Sequence, residues 1–220
     1  MFNVKKCKTP PASLENKVDY DGEDVYKQLR KDFHDKCYIC ETPQPLSINI
    51  EHFISHRNKD EDKKFNWNNL YFACARCNNI KGARYDGILD CCDDSVDVYK
   101  SLKLLPPRTP YVGSLDIFSK STSPEALKTV DLLSEVYNNA NTVNKVASAE
   151  FLRERIFEQY AKLYKYILIW HSPESFPAEK EDARERMKLF IATSSPYSAF
   201  MREVLFDDSK LKDLIEELVD

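Results

Sequence analysis

Glycine is nearly missing from this chain: four residues in 220. That excludes collagen-like and glycine-rich architectures, and any reading built on a glycine-rich phosphate loop. Long apolar runs are missing as well. The best candidate, Tyr164 to Trp170, is far shorter than the roughly 20 apolar residues a membrane span needs. The opening MFNVKKCKTPP has lysines but no apolar segment behind them. It does not read as a signal peptide, and the expectation is a cytoplasmic protein. Internal repeats and low-complexity blocks are absent too. So is any excess of positive charge: 32 Lys/Arg stand against 36 Asp/Glu, a net charge of −4. Residues 1–120 hold 19 basic and 18 acidic side chains, and residues 121–220 hold 13 and 18. A nucleic-acid binder that works alone is usually basic. Any cationic surface here must therefore be local or lent by a partner.

What is present is a globular composition. Hydrophobic residues make up 42% and charged residues 31%, which excludes wholesale disorder. The length suits one large domain or two small ones. Residues 1–22, with Lys5, Lys6 and Lys8 ahead of Pro10-Pro11, read as an extended N-terminal arm. In residues 23–34, Val25, Leu29 and Phe33 fall on one helical face. Residues 86–113 read as a loop, and Tyr111 to Phe118 as holding a short strand. From Ser123-Pro124-Glu125, an N-cap signature, the chain turns helical. Leu127, Val130, Leu133 and Tyr137 line the first helix, which Asn138 to Asn141 then breaks. A longer helix from Ser148 places Leu152, Ile156, Tyr160, Leu163 and Ile167 together. Residues 178–193 and 197–206 follow as helices, and Leu211, Leu214, Ile215 and Leu218 mark a last short one. The expected organisation is an arm (1–22), a cysteine-bearing module with flanking loops (23–120) and a helical region (121–220).

Seven cysteines are present, an odd number. Cys37-Tyr-Ile-Cys40 and Cys74-Ala-Arg-Cys77 are both C-x2-C, a spacing that in a cytoplasmic chain points to metal rather than disulfides. Two such knuckles supply the four thiolates of a tetrahedral Zn²⁺ site with no open position, so the zinc is structural. About 50 residues cannot bury enough surface to be stable unaided. Zinc contributes roughly 10–16 kcal/mol in small finger peptides. Cys91-Cys92 reads as buried apolar surface.

Between the knuckles, Ile48 to Phe53 alternates like a strand and ends in the pair Glu51-His52. A charged loop runs from Arg57 to Lys64, then come Asn66-Trp67-Asn68-Asn69-Leu70. Asn78-Asn79-Ile80-Lys81 follows the second knuckle directly. This arrangement, over residues 37–82, resembles the HNH endonucleases with their ββα-metal finger: an acid-His pair, a central Asn, and a final His or Asn three residues before a Lys. Ser55 stands where many members have Pro, and Glu precedes the histidine where another acid is common. The strings IEHFIS, FNWNNLYFACARCNNIKG and GILD, followed by a helical tail, further resemble the PtuB family, the HNH subunits of Septu-type and retron-associated anti-phage systems.

The fold this implies is α+β: a small zinc-stapled ββα-metal module followed by a mainly helical C-terminal region. The resemblance implies an endonuclease that hydrolyses phosphodiester bonds in nucleic acid, DNA favoured and RNA possible. His52 would be the general base, since neutral imidazole suits that task near pH 7. Glu51 and Asn78 would hold a catalytic Mg²⁺ or Mn²⁺ through hard oxygen donors. Asn69 would brace the loop that orients His52. Lys81 and Arg84, with Arg57, Lys59, Lys63 and Lys64, would hold phosphates. His56 stays open between a metal or phosphate contact and a solvent-facing position. The PtuB resemblance implies an ATPase partner of the PtuA type, docked on the helical region. The rival reading is a catalytically inactive zinc-finger scaffold or adaptor. Under it His52 is a core histidine, Asn69 a turn residue and the basic loop a solvated face. Trp67 reads as core rather than as a base-stacking platform.

Overall fold

The computed structural model describes residues 1–17, 19–57, 59–139 and 148–217. Ala140, Asn141 and Leu218, named above as helix-breaking or helical, lie outside them. The architecture is α+β. Two short helices, α1 (Ala12–Glu15) and α2 (Glu23–Asp32), precede the first knuckle. Strand β1 (Ile48–His52) leads through α3 (Glu61–Lys64) and a 3-10 turn (Trp67–Asn69) to β2 (Leu70–Cys74). The two strands pair antiparallel, from Ile48 opposite Cys74 to His52 opposite Leu70. The chain passes without a break from β2 into α4 (Ala75–Lys81), giving a ββα unit. Cys74 caps α4, its sulfur accepting from the Cys77 amide at 3.4 Å.

Burial explains why this small hairpin stands. Leu70 to Ala73 are covered on both faces of β2, the apolar run expected of an enclosed strand. Helix α2 lies against it: Phe33 meets Tyr71 at 5.6 Å and Tyr26 meets Phe72 at 5.8 Å between ring centroids. Val25, Leu29 and Phe33 are fully buried, as their spacing indicates.

The stretch 86–113 is not all loop. It contains α5 (Val98–Ser101) and β3 (Leu102–Leu104), and β3 pairs antiparallel with β4 (Ile117–Ser119). These elements are one turn or three residues long, too short for a hydrophobic period to show. Then come α6 (Pro124–Asn138), α7 (Ala149–His171), α8 (Pro177–Ile191), α9 (Ser198–Phe206) and α10 (Asp213–Glu216). Ser123 and Ser148 cap α6 and α7 through their hydroxyls. The buried stripe of α6 is offset from the expected one. Leu132, Leu133, Val136 and Tyr137 face inward, whereas Leu127 is half exposed.

Residues 1–8 are an extended segment, but one that enters the core. Met1, Phe2 and Val4 are buried, and the Val4 amide bonds the Cys91 carbonyl at 2.8 Å. The Met1 amine meets Glu41 at 2.7 Å inside the first knuckle. Glu41 also accepts from Ser198 of α9 at 3.0 Å and lies 3.5 Å from Lys36. Lys36 donates onward to the Ser195 carbonyl at 2.7 Å. One hydrophobic cluster runs from Met1 through the knuckles to Leu214. No helix among the described residues is long and apolar enough to cross a membrane.

Candidate active site

The knuckles converge. The sulfurs of Cys37, Cys40, Cys74 and Cys77 all lie within 4.8 Å of one another. Cys40 and Cys74 are 3.9 Å apart. A tetrahedron with zinc–sulfur arms of about 2.3 Å has edges of about 3.8 Å, so the set fits zinc. Three of the four cysteines are buried, as suits a closed structural site. Cys91 and Cys92 stand outside this set, and Cys91 is buried in the core.

Glu51 points inward. It is buried, with one oxygen 2.7 Å from the Lys81 ammonium and the other accepting from the Tyr38 hydroxyl at 2.6 Å. Successive strand residues point to opposite faces, so Glu51 turns inward where His52 turns out. Burial pushes its carboxyl up from the usual range, against the pull of Lys81 and Tyr38. Lys81 corrects an expectation. Its side chain is fully enclosed and donates to the Phe53 carbonyl at 2.9 Å, with Asp86 3.7 Å away. It pins α4 to β1 and does not reach a phosphate.

His52 sits at the end of β1, half-buried, with Nε2 3.0 Å from the Lys64 carbonyl. A carbonyl only accepts, so Nε2 carries the proton and the lone pair is on Nδ1. Asn69 fixes the surroundings of that bond. Its side-chain oxygen accepts from the Ile54 amide at 2.7 Å, and its NH₂ donates to the carbonyls of Ile54 and Lys63 at 2.9 and 3.0 Å. It thereby ties the chain just after His52 to the chain just before Lys64. Burial lowers the His52 pKa below 6.5, against the pull of the bond to the Lys64 carbonyl and with the charges of His56, Lys64 and Lys81 acting in the same direction as burial. His56 is brought close, its ring edge-on to His52 at 4.3 Å. Tyr20 also packs against the ring, at 4.8 Å.

The remaining residues scatter. Asn78 lies on α4, half-buried. Arg57, Lys59, Lys63 and Arg84 are exposed and Lys64 is half-buried. Lys63 pairs with Asp60 at 2.9 Å, and Arg84 stacks over Tyr85 at 5.0 Å. Trp67 is core: its indole donates to the Cys7 carbonyl at 2.6 Å, under the Lys6 ammonium at 4.1 Å. Lys6, which the sequence did not single out, also donates to the Trp67 and Leu70 carbonyls and so clamps the turn that carries Asn69. Burial lowers its pKa to about 8. Tyr38 and Tyr20 were missed as well. Strand alternation could have shown that Glu51 needs an inward partner, but nothing in sequence ties Tyr20 to a histidine 32 positions later. A cleft of about 970 Å³ lies elsewhere, lined by Met1, Tyr99, Arg202 and Glu203 among others, and not by Glu51, His52, Asn69, Asn78 or the four clustered cysteines.

Residues 37–84 match the family model described as HNH endonuclease. No curated protein and no solved structure gives a significant match to the chain. The matched stretch holds the four clustered cysteines, both strands of the first hairpin, α4, His52 and Asn69. The stretch 37–84 of this chain is an HNH endonuclease domain, a type that implies a nuclease-type function acting on nucleic acid.

Proposed function

We propose that the chain is an HNH endonuclease that hydrolyses phosphodiester bonds, DNA in preference to RNA, with His52 as general base. The observation that carries this is the bond from His52 Nε2 to the Lys64 carbonyl, which leaves the basic nitrogen Nδ1 unprotonated. Its lowered pKa keeps the ring neutral at pH 7. Nδ1 takes a proton from water, the oxygen attacks phosphorus, and the 3′ oxygen leaves. Asn69 holds the loop that fixes the ring. HNH nucleases use divalent metals, and Mg²⁺ or Mn²⁺, when bound, supplies positive charge for the phosphate and the leaving oxygen. Glu51 and Asn78 are the oxygen donors assigned to hold it, Glu51 keeping lone pairs beyond its bonds to Lys81 and Tyr38. Arg84, Arg57 and Lys63 are exposed cations, and the reading assigns them to phosphates.

Cleavage of plasmid DNA, single-stranded DNA and tRNA, each with Mg²⁺, Mn²⁺ or EDTA, tests the reading. The expected outcome is divalent-dependent cutting of plasmid that is lost in His52→Ala at unchanged zinc content. No cutting under any condition favours the scaffold reading, which the closed Glu51–Lys81 pair supports.

The resemblance of IEHFIS, FNWNNLYFACARCNNIKG and GILD to PtuB motivates a finer proposal: the nuclease subunit of an anti-phage defence complex gated by a PtuA-type ATPase. The helical region offers exposed apolar side chains for such docking, Tyr164 and Leu168 on α7 and Phe206 on α9. Separate elution of the two co-expressed chains on gel filtration would sink it.

A further inference from the structure

We infer that Tyr20 is a positioning residue for His52: its ring packs on the imidazole and, with the Lys64 carbonyl, keeps Nδ1 aimed at the substrate. The inference rests on His52 being the base. Tyr20 lies outside the matched stretch 37–84, just ahead of α2. Its ring centroid is 4.8 Å from that of His52, tilted by 56°, and 6.5 Å from that of His56. The Lys64 ammonium sits over the same ring at 5.6 Å. Tyr20 thus touches both the base and the residue whose carbonyl binds the base.

A single hydrogen bond at Nε2 fixes one point of the imidazole, and the ring can still pivot about it. Closing that freedom takes contacts on the ring itself. His56 supplies an edge contact at 4.3 Å, and Tyr20 supplies the other. The segment bearing Tyr20 is held in place on both sides. Lys17 pairs with Asp62 at 3.2 Å, laying the segment along the 60–64 stretch. Asp24 accepts from the Ser13 amide and hydroxyl at 3.1 and 2.7 Å, tying α1 to the start of α2. Tyr20 is half-buried and packs against the hydrophobic cluster, so the Tm of each variant is read beside kcat to separate positioning from folding.

The test uses the full chain with plasmid DNA and Mg²⁺, comparing wild type, Tyr20→Phe, Tyr20→Ala and His52→Ala. Misplacing a catalytic group by about 1 Å costs about 100-fold, so Tyr20→Ala should lose about tenfold or more in kcat at unchanged KM. Tyr20→Phe keeps the ring and should restore the wild-type kcat. The ¹⁵N resonances of the His52 ring give a readout that needs no turnover. Wild type and Tyr20→Phe should show one Nε2-protonated tautomer, and Tyr20→Ala a mixture. Wild-type kcat and an unchanged His52 spectrum in Tyr20→Ala would overturn the inference. Absence of His52-dependent cutting in the wild type would overturn the nuclease reading by itself, and the ring spectra would then decide whether Tyr20 orders the imidazole.

Discussion

The Lys64 carbonyl does more to His52 than hold it. It selects the tautomer, and burial selects the charge. A general base must be neutral to act, so activity falls as pH drops through the His52 pKa. Because burial lowers that pKa, the acid limb of kcat/KM should have its midpoint below 6.5, with a flat profile at neutral pH. A midpoint above 6.5 would contradict the assignment. Glu51 calls for a different experiment. Removing one partner of a buried ion pair typically costs about 3–5 kcal/mol, so Lys81→Met should destabilise the chain by about that much in urea, since it leaves Glu51 enclosed and uncompensated. A phosphate-binding lysine would instead leave stability untouched and weaken substrate binding. The contrast shows where sequence reading ran out at this scale. The position of Asn69 as a brace between Ile54 and Lys63 was legible from type and spacing. The pairing of Glu51 with Lys81 was not, because type and spacing are silent on burial.

The ββα element is short, and Cys74 and Cys77 of the four clustered cysteines lie in it. Strands β1 and β2 have five residues each and α4 has seven, and α4 is entered through a cysteine of the cluster that is also its cap. Cys77→Ser should therefore unfold the element, with His52 lost as a consequence. Chelation of the wild type should do the same, read as a fall in Tm together with release of one zinc per chain. Equal Tm for Cys77→Ser and wild type would refute a structural zinc. Elements of this length were legible here only because C-x2-C spacing stands in for a hydrophobic period. The long helices α6 and α7 were legible by ordinary means: serine caps, a first-turn proline and apolar spacing. Helix α5 and strand β3 had neither kind of signal. The offset face of α6 has another cause. Leu127 and Val130 belong to the stripe by spacing, but Leu132 and Val136 face the knuckle side, where Arg76 of α4 bonds the Val136 carbonyl at 2.7 Å.

At the scale of the whole molecule, charge sets how tightly this chain can hold a polyanion. The net charge is −4, and the cations exposed around His52 are few: Arg57, Lys59, Lys63 and Arg84. Asp60, Glu61 and Asp62 interrupt them, and Lys63 is already paired with Asp60. Lys81, which the sequence would add, is enclosed. Each phosphate neutralised contributes about −0.9 to the slope of log K against log salt on duplex DNA. Three or so contacts then give a slope of roughly −3, shallow beside the value of about −10 for a strongly electrostatic binder. Titration of a labelled duplex into catalytically silent His52→Ala between 50 and 200 mM salt measures this, and Arg84→Ala in that background should reduce the slope by about 1. A slope steeper than about −6 would mean that cations far from His52 also bind the duplex. A shallow slope with weak affinity is what a nuclease borrowing its substrate grip from a partner requires, and restoration of a steep slope on adding that partner would place the missing charge on the partner's surface.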